Sequence, residues 1–160
     1  MEEKERLKEV RSRPEDDAPR LEFADRLDER GDPRGEFIRL QCALARINDD
    51  DPVRPALETR LRFLEPAQLA ECLERLRPLG VRDIRMHRGF VERMHVQGTA
   101  FLDLWRALAG VAPALRGLRW TDLPRVGSGN AVQRLLEDKT FTCLTSSKLF
   151  DTKIDRTSIE

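Results

Sequence analysis

Tyrosine is absent from this 160-residue chain, histidine occurs only twice, and the formal net charge is zero. The 29 basic and 29 acidic side chains cancel. That balance argues against a protein that coats nucleic acid or binds an anionic membrane through bulk charge. No apolar run approaches the roughly 20 residues that span a bilayer. The first residues, Met1-Glu2-Glu3-Lys4-Glu5-Arg6, are charged and carry no apolar segment, so no secretory signal is expected. The three cysteines, Cys42, Cys72 and Cys143, are odd in number and far apart. They read as thiols packed like small apolar groups in a reducing cytoplasm. The histidines, His87 and His95, have no cysteine or carboxylate at a metal-site spacing. Gly127-Ser128-Gly129 lacks the Lys-Ser/Thr of a phosphate loop. Val126 stands where a nucleophile elbow needs its first glycine. These gaps lead to the expectation of no enzyme activity, no cofactor and no resident metal.

Charge of both signs is abundant. Charged residues make up 36% of the chain, and the basic ones are 24 arginines against 5 lysines. Such surfaces suit arginine–carboxylate ion-pair networks. Apolar spacing and helix signals organise the first half. Asp17 precedes Ala18-Pro19, and an aspartate there can cap a helix whose first turn tolerates proline. Leu21, Ala24 and Leu27 follow at helical spacing, with Phe23 widening the apolar face. Gly31 suits the left-handed position after a helix. Asp32-Pro33 repeats the start signal, and Phe37, Leu40, Leu44 and Ile47 run down the next face beside Ile38. Residues of about 17–30 and 33–47 are therefore predicted to form a helical hairpin. Asp51-Pro52 starts a third such helix, lined by Leu57, Leu61 and Leu64. Pro66 is expected to interrupt or restart it, and Leu69, Leu73 and Leu76 continue to Pro78.

The run Asp16-Asp17-Ala18-Pro19-Arg20-Leu21, with Gly31-Asp32-Pro33-Arg34-Gly35-Glu36-Phe37-Ile38-Arg39-Leu40-Gln41 after it, resembles the bacterial repeat-companion domain. That family is a short helical module at the N-terminal side of leucine-rich-repeat-like and other repetitive proteins. The likeness covers residues of about 5–47. It implies a helical N-terminal unit with a repeat region after it, and it carries over no catalytic residue. Where the family usually has an aromatic, often tryptophan, this chain has Arg26, so that aromatic's surface role does not carry over. Arg88-Gly89-Phe90-Val91-Glu92 looks like the family's usual lead-in to the repeats.

The second half changes period. Val81, Ile84 and Met86, then Phe90, Val91, Met94 and Val96, read as strands. Phe101, Leu102, Leu104, Trp105 and Leu108 form a helical stripe, and Leu115, Leu118 and Trp120 another strand. Met94 to Leu118 and Val96 to Trp120 are each 24 residues, and 24 more reaches Leu144. That period falls within the leucine-rich-repeat range of about 20–29. The predicted class is α+β: an N-terminal helical hairpin or bundle, then a short degenerate leucine-rich-repeat-like α/β region. The expected division is 1–78 for the helical companion module, 79–137 for the repeat-like region and 138–160 for a polar C-terminal strand or tail. The last segment, rich in Ser, Thr and Lys, reads as a partly ordered tail, a recognition or cleavage segment, or a truncated gene end.

Asp25 and Glu29, four apart, are placed for a metal or an acid–base pair. Pairing with Arg26, Arg30, Arg34 or Arg39 explains them more simply. A buried Asp25 or Arg39 would fix the register of the hairpin. The expected function is a non-catalytic protein–protein interaction module or adaptor in a bacterial cytoplasm, its partner another protein, with no nucleic acid and no membrane. The recognition set is Arg26, Arg30, Arg34, Glu36 and Arg39, joined by Trp105 and Trp120 if they line a binding face. The alternatives are a regulatory protein whose C-terminal tail a protease or kinase cleaves or modifies, and a metal-dependent hydrolase using the N-terminal acidic cluster.

Overall fold

The helix starts share one device. Asp16 Oδ1 accepts the N–H of Ala18 (2.9 Å), Asp32 Oδ1 that of Arg34 (3.0 Å), and Asp51 Oδ1 that of Val53 (2.9 Å). Each is an aspartate side chain closing a turn onto the amide two residues ahead. Asp17, the expected cap, makes no capping bond. Asp16 takes that role, and the Asp17 side chain turns inward and is buried.

The computed structural model describes residues 2–97, 112–121 and 146–149, with backbone alone at Glu2, Trp120 and 146–149. Among the described residues four helices come first: α1 (Glu2–Ser12), α2 (Ala18–Asp28), α3 (Arg34–Arg46) and α4 (Arg54–Leu76), the last running into a short 3-10 turn, Arg77–Leu79. Four strands follow: β1 (Val81–His87), β2 (Phe90–Gln97), β3 (Gly117–Thr121) and β4 (Ser146–Leu149). The fold is α+β. The stripe of Phe101, Leu102, Leu104, Trp105 and Leu108 lies outside the described residues. So do Gly127-Ser128-Gly129, Cys143, Leu144 and the rest of the C-terminal segment.

α2 and α3 form the predicted hairpin. Gly31 adopts φ +68°, and the Asp32 N–H donates to Leu27 O (2.9 Å), closing the end of α2. Arg39 of α3 reaches back to Asp25 and Asp28 of α2. All three side chains stay at least two-fifths exposed, so this clamp between α2 and α3 lies on the surface. The buried side of α3 is also turned from the predicted face. Phe37, Ile38, Gln41 and Cys42 are buried, whereas Leu40, Leu44 and Ile47 are half-buried. α3 is flanked by α2, α4 and the strand hairpin, and the innermost line is the one facing the hairpin.

Pro66 does not interrupt α4, which runs unbroken for 23 residues. A proline inside a helix removes one N–H and crowds the carbonyl four residues back. Here Arg62 and Pro66 are both exposed, so water can satisfy the freed carbonyl.

The sheet has order β1-β2-β3-β4. β1 and β2 are antiparallel, joined by Arg88 (φ +48°) and Gly89 (φ +84°). Two positive φ values in a two-residue loop are those of the tight hairpin turn whose twist matches the strands. Register shifts between Val81 and Asp83, and between Arg85 and Met86, absorb the irregular apolar spacing. β2, β3 and β4 are parallel. Met94 pairs with Leu118 and Val96 with Trp120, the 24-residue step read from the sequence. The next step is longer: Leu118 pairs with Ser147, 29 residues on, so the third strand is Ser146–Leu149 and is not centred on Leu144. Four residues of the segment read as a polar strand or tail thus form a strand of the sheet.

Two cores meet at β2. Val91, Met94 and Val96 pack with Leu76, Ile84, Leu115 and Leu118 in the sheet core. Phe90 points the other way, into the helical core of Val10, Phe23, Ala24, Leu27, Ile38 and Cys42. Its ring lies 5.7 Å from that of Phe23. Strand alternation sends adjacent residues to opposite faces, so Phe90 and Val91 tie the two cores together. Each such buried side chain contributes about 1.5–3 kcal/mol.

Candidate interaction surface

The densest polar cluster lies where the β1–β2 turn meets the helices. Arg20, 2% exposed, donates to Asp16 O (2.7 Å) and Pro14 O (2.8 Å), and its guanidinium stands 5.9 Å from the centre of the Phe90 ring. Burial pushes its pKa down from the ordinary arginine value. Arg88 donates to Glu15 O (2.9 Å) and lies 3.5 Å from Asp17, which also accepts from Arg46 (2.7 Å). Gln41 Oε1 accepts the Gly89 N–H (2.7 Å). Arg116 reaches Glu15 (2.5 Å) and lowers its pKa by that hydrogen bond. Every strong contact here joins one part of the chain to another. The cluster fixes how the hairpin sits on α2 and α3.

Beside it lies a cavity of about 70 Å³, lined mainly by apolar groups such as Phe23, Phe37, Met86 and Phe90, with Arg34 and Gln68. Small-molecule pockets run to about 300–1,000 Å³. This space suits a few waters. Cys42 and Cys72 sit in the same region, and burial raises both thiols, Cys42 to about 11. They are therefore poor nucleophiles at neutral pH. Among the described residues no three His, Cys, Asp or Glu side chains gather as a metal site. Among them also, no helix is long and apolar enough to cross a membrane.

The residues expected to recognise a partner are dispersed. Arg26 pairs with Glu29 (2.9 Å) and Arg30 with Glu3 (3.6 Å). Arg34 is held by Asp32 (2.6 Å), which raises the arginine and lowers the carboxyl. Arg39 clamps α2, as described above. Trp120 occupies β3 opposite Val96, and Trp105 lies outside the described residues. His95 Nε2 and Thr121 Oγ1 are 3.0 Å apart across β2 and β3, and His87 is exposed at the end of β1.

Glu36 leads to a surface the sequence reading passed over. It takes a two-pronged ion pair from Arg60 of α4, Nε to Oε1 at 2.5 Å and Nη2 to Oε2 at 2.7 Å. That contact holds the Glu36 carboxyl below its usual range. The same guanidinium lies 5.5 Å from the centre of the Phe63 ring. Phe63 is 76% exposed, the most exposed large apolar side chain among the described residues. A single exposed apolar residue is ordinary. This one is propped by a planar cation that α3 holds in place, and open ground surrounds it. Ala56, Thr59, Arg60, Pro66, Ala67, Ala70 and Glu74 share its side of α4, and all are exposed. Leu57, Leu61 and Leu64 are half-buried on the other side. The signal was legible: Phe63 falls between Leu61 and Leu64, off their stripe by helical spacing.

Comparison of the chain with protein-family models, with curated proteins and with solved structures found no match in any of the three.

Proposed function

We propose that the chain is a non-catalytic protein–protein interaction module of a bacterial cytoplasm, a repeat-companion-like helical unit leading into parallel repeat-like strands. Its docking surface is the exposed ridge of α4. The observation that carries this reading is Phe63, 76% exposed, with the Glu36-bound Arg60 guanidinium 5.5 Å from its ring centre. An aromatic side chain has only two rotatable bonds to order on binding, and exposed aromatics are frequent hot spots. The parallel, 24-residue pairing of β2 with β3 supports the repeat-like part of the reading. Of the expected recognition set, Glu36 belongs to the docking surface as the support of Arg60, while Arg26, Arg30, Arg34 and Arg39 bind carboxylates of their own chain.

The test is affinity capture from the native cell with the wild-type chain and with Phe63→Glu. A bound protein is expected to fall at least tenfold with the variant, as for loss of a hot-spot residue. Identical capture by both chains refutes the ridge as the docking surface.

A further inference from the structure

Resting on that reading of α4, we infer that the partner of the ridge is a second copy of the chain, joined by antiparallel α4–α4 pairing around a two-fold axis. The ridge is polar in the sense of charge along its length. On the ridge itself Arg60 lies toward the start of α4 and Glu71 and Glu74 toward its end, while Arg62 and Arg75 project about 100–120° away from Phe63. Phe63, Pro66, Ala67 and Ala70 fill the space between. A partner helix running the same way would set Arg60 against Arg60. One running the opposite way sets each basic end against an acidic end.

The flanks of the ridge agree with this choice. At about 100° per residue, Arg60, Ala67, Glu71 and Glu74 fall to one side of Phe63, and Thr59, Pro66 and Ala70 to the other. A two-fold axis perpendicular to both helices brings like flank against like flank. Arg60 of each copy then stands beside Glu71 and Glu74 of the other. Phe63 of each copy lies over Pro66, Ala67 and Ala70 of the other, where small side chains leave room for a ring. The partners needed are in place. Arg60 uses Nε and Nη2 on Glu36, and its Nη1 has no partner among the described residues. Neither Glu71 nor Glu74 has a cation of a described residue within ion-pair distance; Glu71 is near enough to Arg34 of α3 to favour its charge, and the exposed Glu74 lies nearest the crest of the ridge. Small residues beside a single large knob let two helices approach closely, as interdigitating ridges require.

Sedimentation velocity on the full chain, from low micromolar to near-millimolar concentration, tests the pairing. The mass is expected to rise from 18.5 kDa to twice that value with concentration. Phe63→Glu, and separately the double variant Glu71→Arg with Glu74→Arg, are expected to weaken self-association by about tenfold or more. Circular dichroism checks that each variant folds, as its exposed sites lead one to expect. Geometry is read by mild oxidation against the unaltered chain: Ala67→Cys, beside the axis, gives a cross-linked dimer and Ala56→Cys, far from it, does not. A wild-type chain that stays monomeric overturns the inference. So does a dimer indifferent to Phe63→Glu, or cross-linking at position 56 in preference to 67. A monomer that still captures another protein through Phe63 ends self-pairing and leaves the docking surface standing. A monomer whose captures ignore Phe63 ends both.

Discussion

Replacing Gly89 by alanine, with Gly31→Ala as its control, measures how firmly the strand hairpin is seated on the helices. Both glycines have positive φ, +84° and +68°. Each substitution therefore carries the same backbone strain, about 1–2 kcal/mol for a non-glycine residue in the left-handed region. The surroundings differ. A Cβ at Gly31 meets nothing within 4 Å. A Cβ at Gly89 would stand 2.3 Å from Ile38 Cγ1 and 2.8 Å from Ile38 Cα. Ile38 is 2% exposed and its Cα belongs to the backbone of α3, so it cannot yield cheaply. The turn must lift instead. Lifting stretches the Gly89 N–H to Gln41 hydrogen bond (2.7 Å) and draws Phe90 from Phe23. The site is part-buried, so loss of that bond costs about 0.5–1.5 kcal/mol. Overpacking of a tight contact adds about 1–3 kcal/mol. Gly89→Ala is thus expected to lose roughly 1.5–4.5 kcal/mol more than Gly31→Ala. Urea unfolding of wild type and both variants, followed by far-ultraviolet circular dichroism, gives that difference directly. Equal losses within about 0.5 kcal/mol would mean that the turn does not press on α3, and the account of the two-core junction would fall.

Three further outcomes follow from named contacts. Burial raises the Cys42 thiol from 9.0 to about 11, so between those pH values the unfolded chain has released a proton that the folded chain keeps. Stability is then present below pH 9 and falls by about 1.4 kcal/mol per unit as pH rises toward 11; a pH series in which wild type and Cys42→Ala have the same slope contradicts this. Asp32 is held low by Arg34, so its charge stabilises the fold above the ordinary carboxylate pKa and that contribution is lost as pH falls through the depressed folded value. Asp32→Asn keeps an acceptor for the turn but lacks the charge, and should be about 1 kcal/mol less stable at pH 7 and no less stable in acid, by urea titration at both pH values. Pro66→Ala restores an N–H to mid-α4 at an exposed position, and thermal unfolding should show a gain of about 1–3 kcal/mol; a lowered melting temperature would show that the proline does more than occupy the helix.

Local signals carried the helices because their causes are local. The Asp-Pro starts, Gly31 and the leucine spacing each act within one turn, and the hairpin of α2 and α3 follows within a residue or two of its predicted limits. The same local reasoning failed where two residues competed or where burial chose a side. Asp16 and Asp17 carry the same side chain, and only the docking of Arg46 and Arg88 draws the second one inward. Pro66 reads as a break in any sequence, and exposure of the freed carbonyl lets the helix pass through it. Arg26, Arg30, Arg34 and Arg39 pair with carboxylates of their own chain and Glu36 with Arg60, contacts that no local spacing displays, and Phe63, a single aromatic off the leucine stripe, stands outside.

The sequence by itself determined the α+β class, the order of helices before strands, and the 24-residue step that sets Met94 beside Leu118, because caps, glycine turns and apolar periods act over a few residues or repeat at fixed intervals. Only the tertiary structure decided that Arg20 and Asp17 are buried, that Phe90 and Val91 serve different cores, that Ser147 and not Leu144 continues the sheet, and that Phe63 stays in water. Those outcomes depend on which surfaces meet across distant parts of the chain, and burial, which supplies most of the folding free energy, is a property of the meeting and not of any one segment.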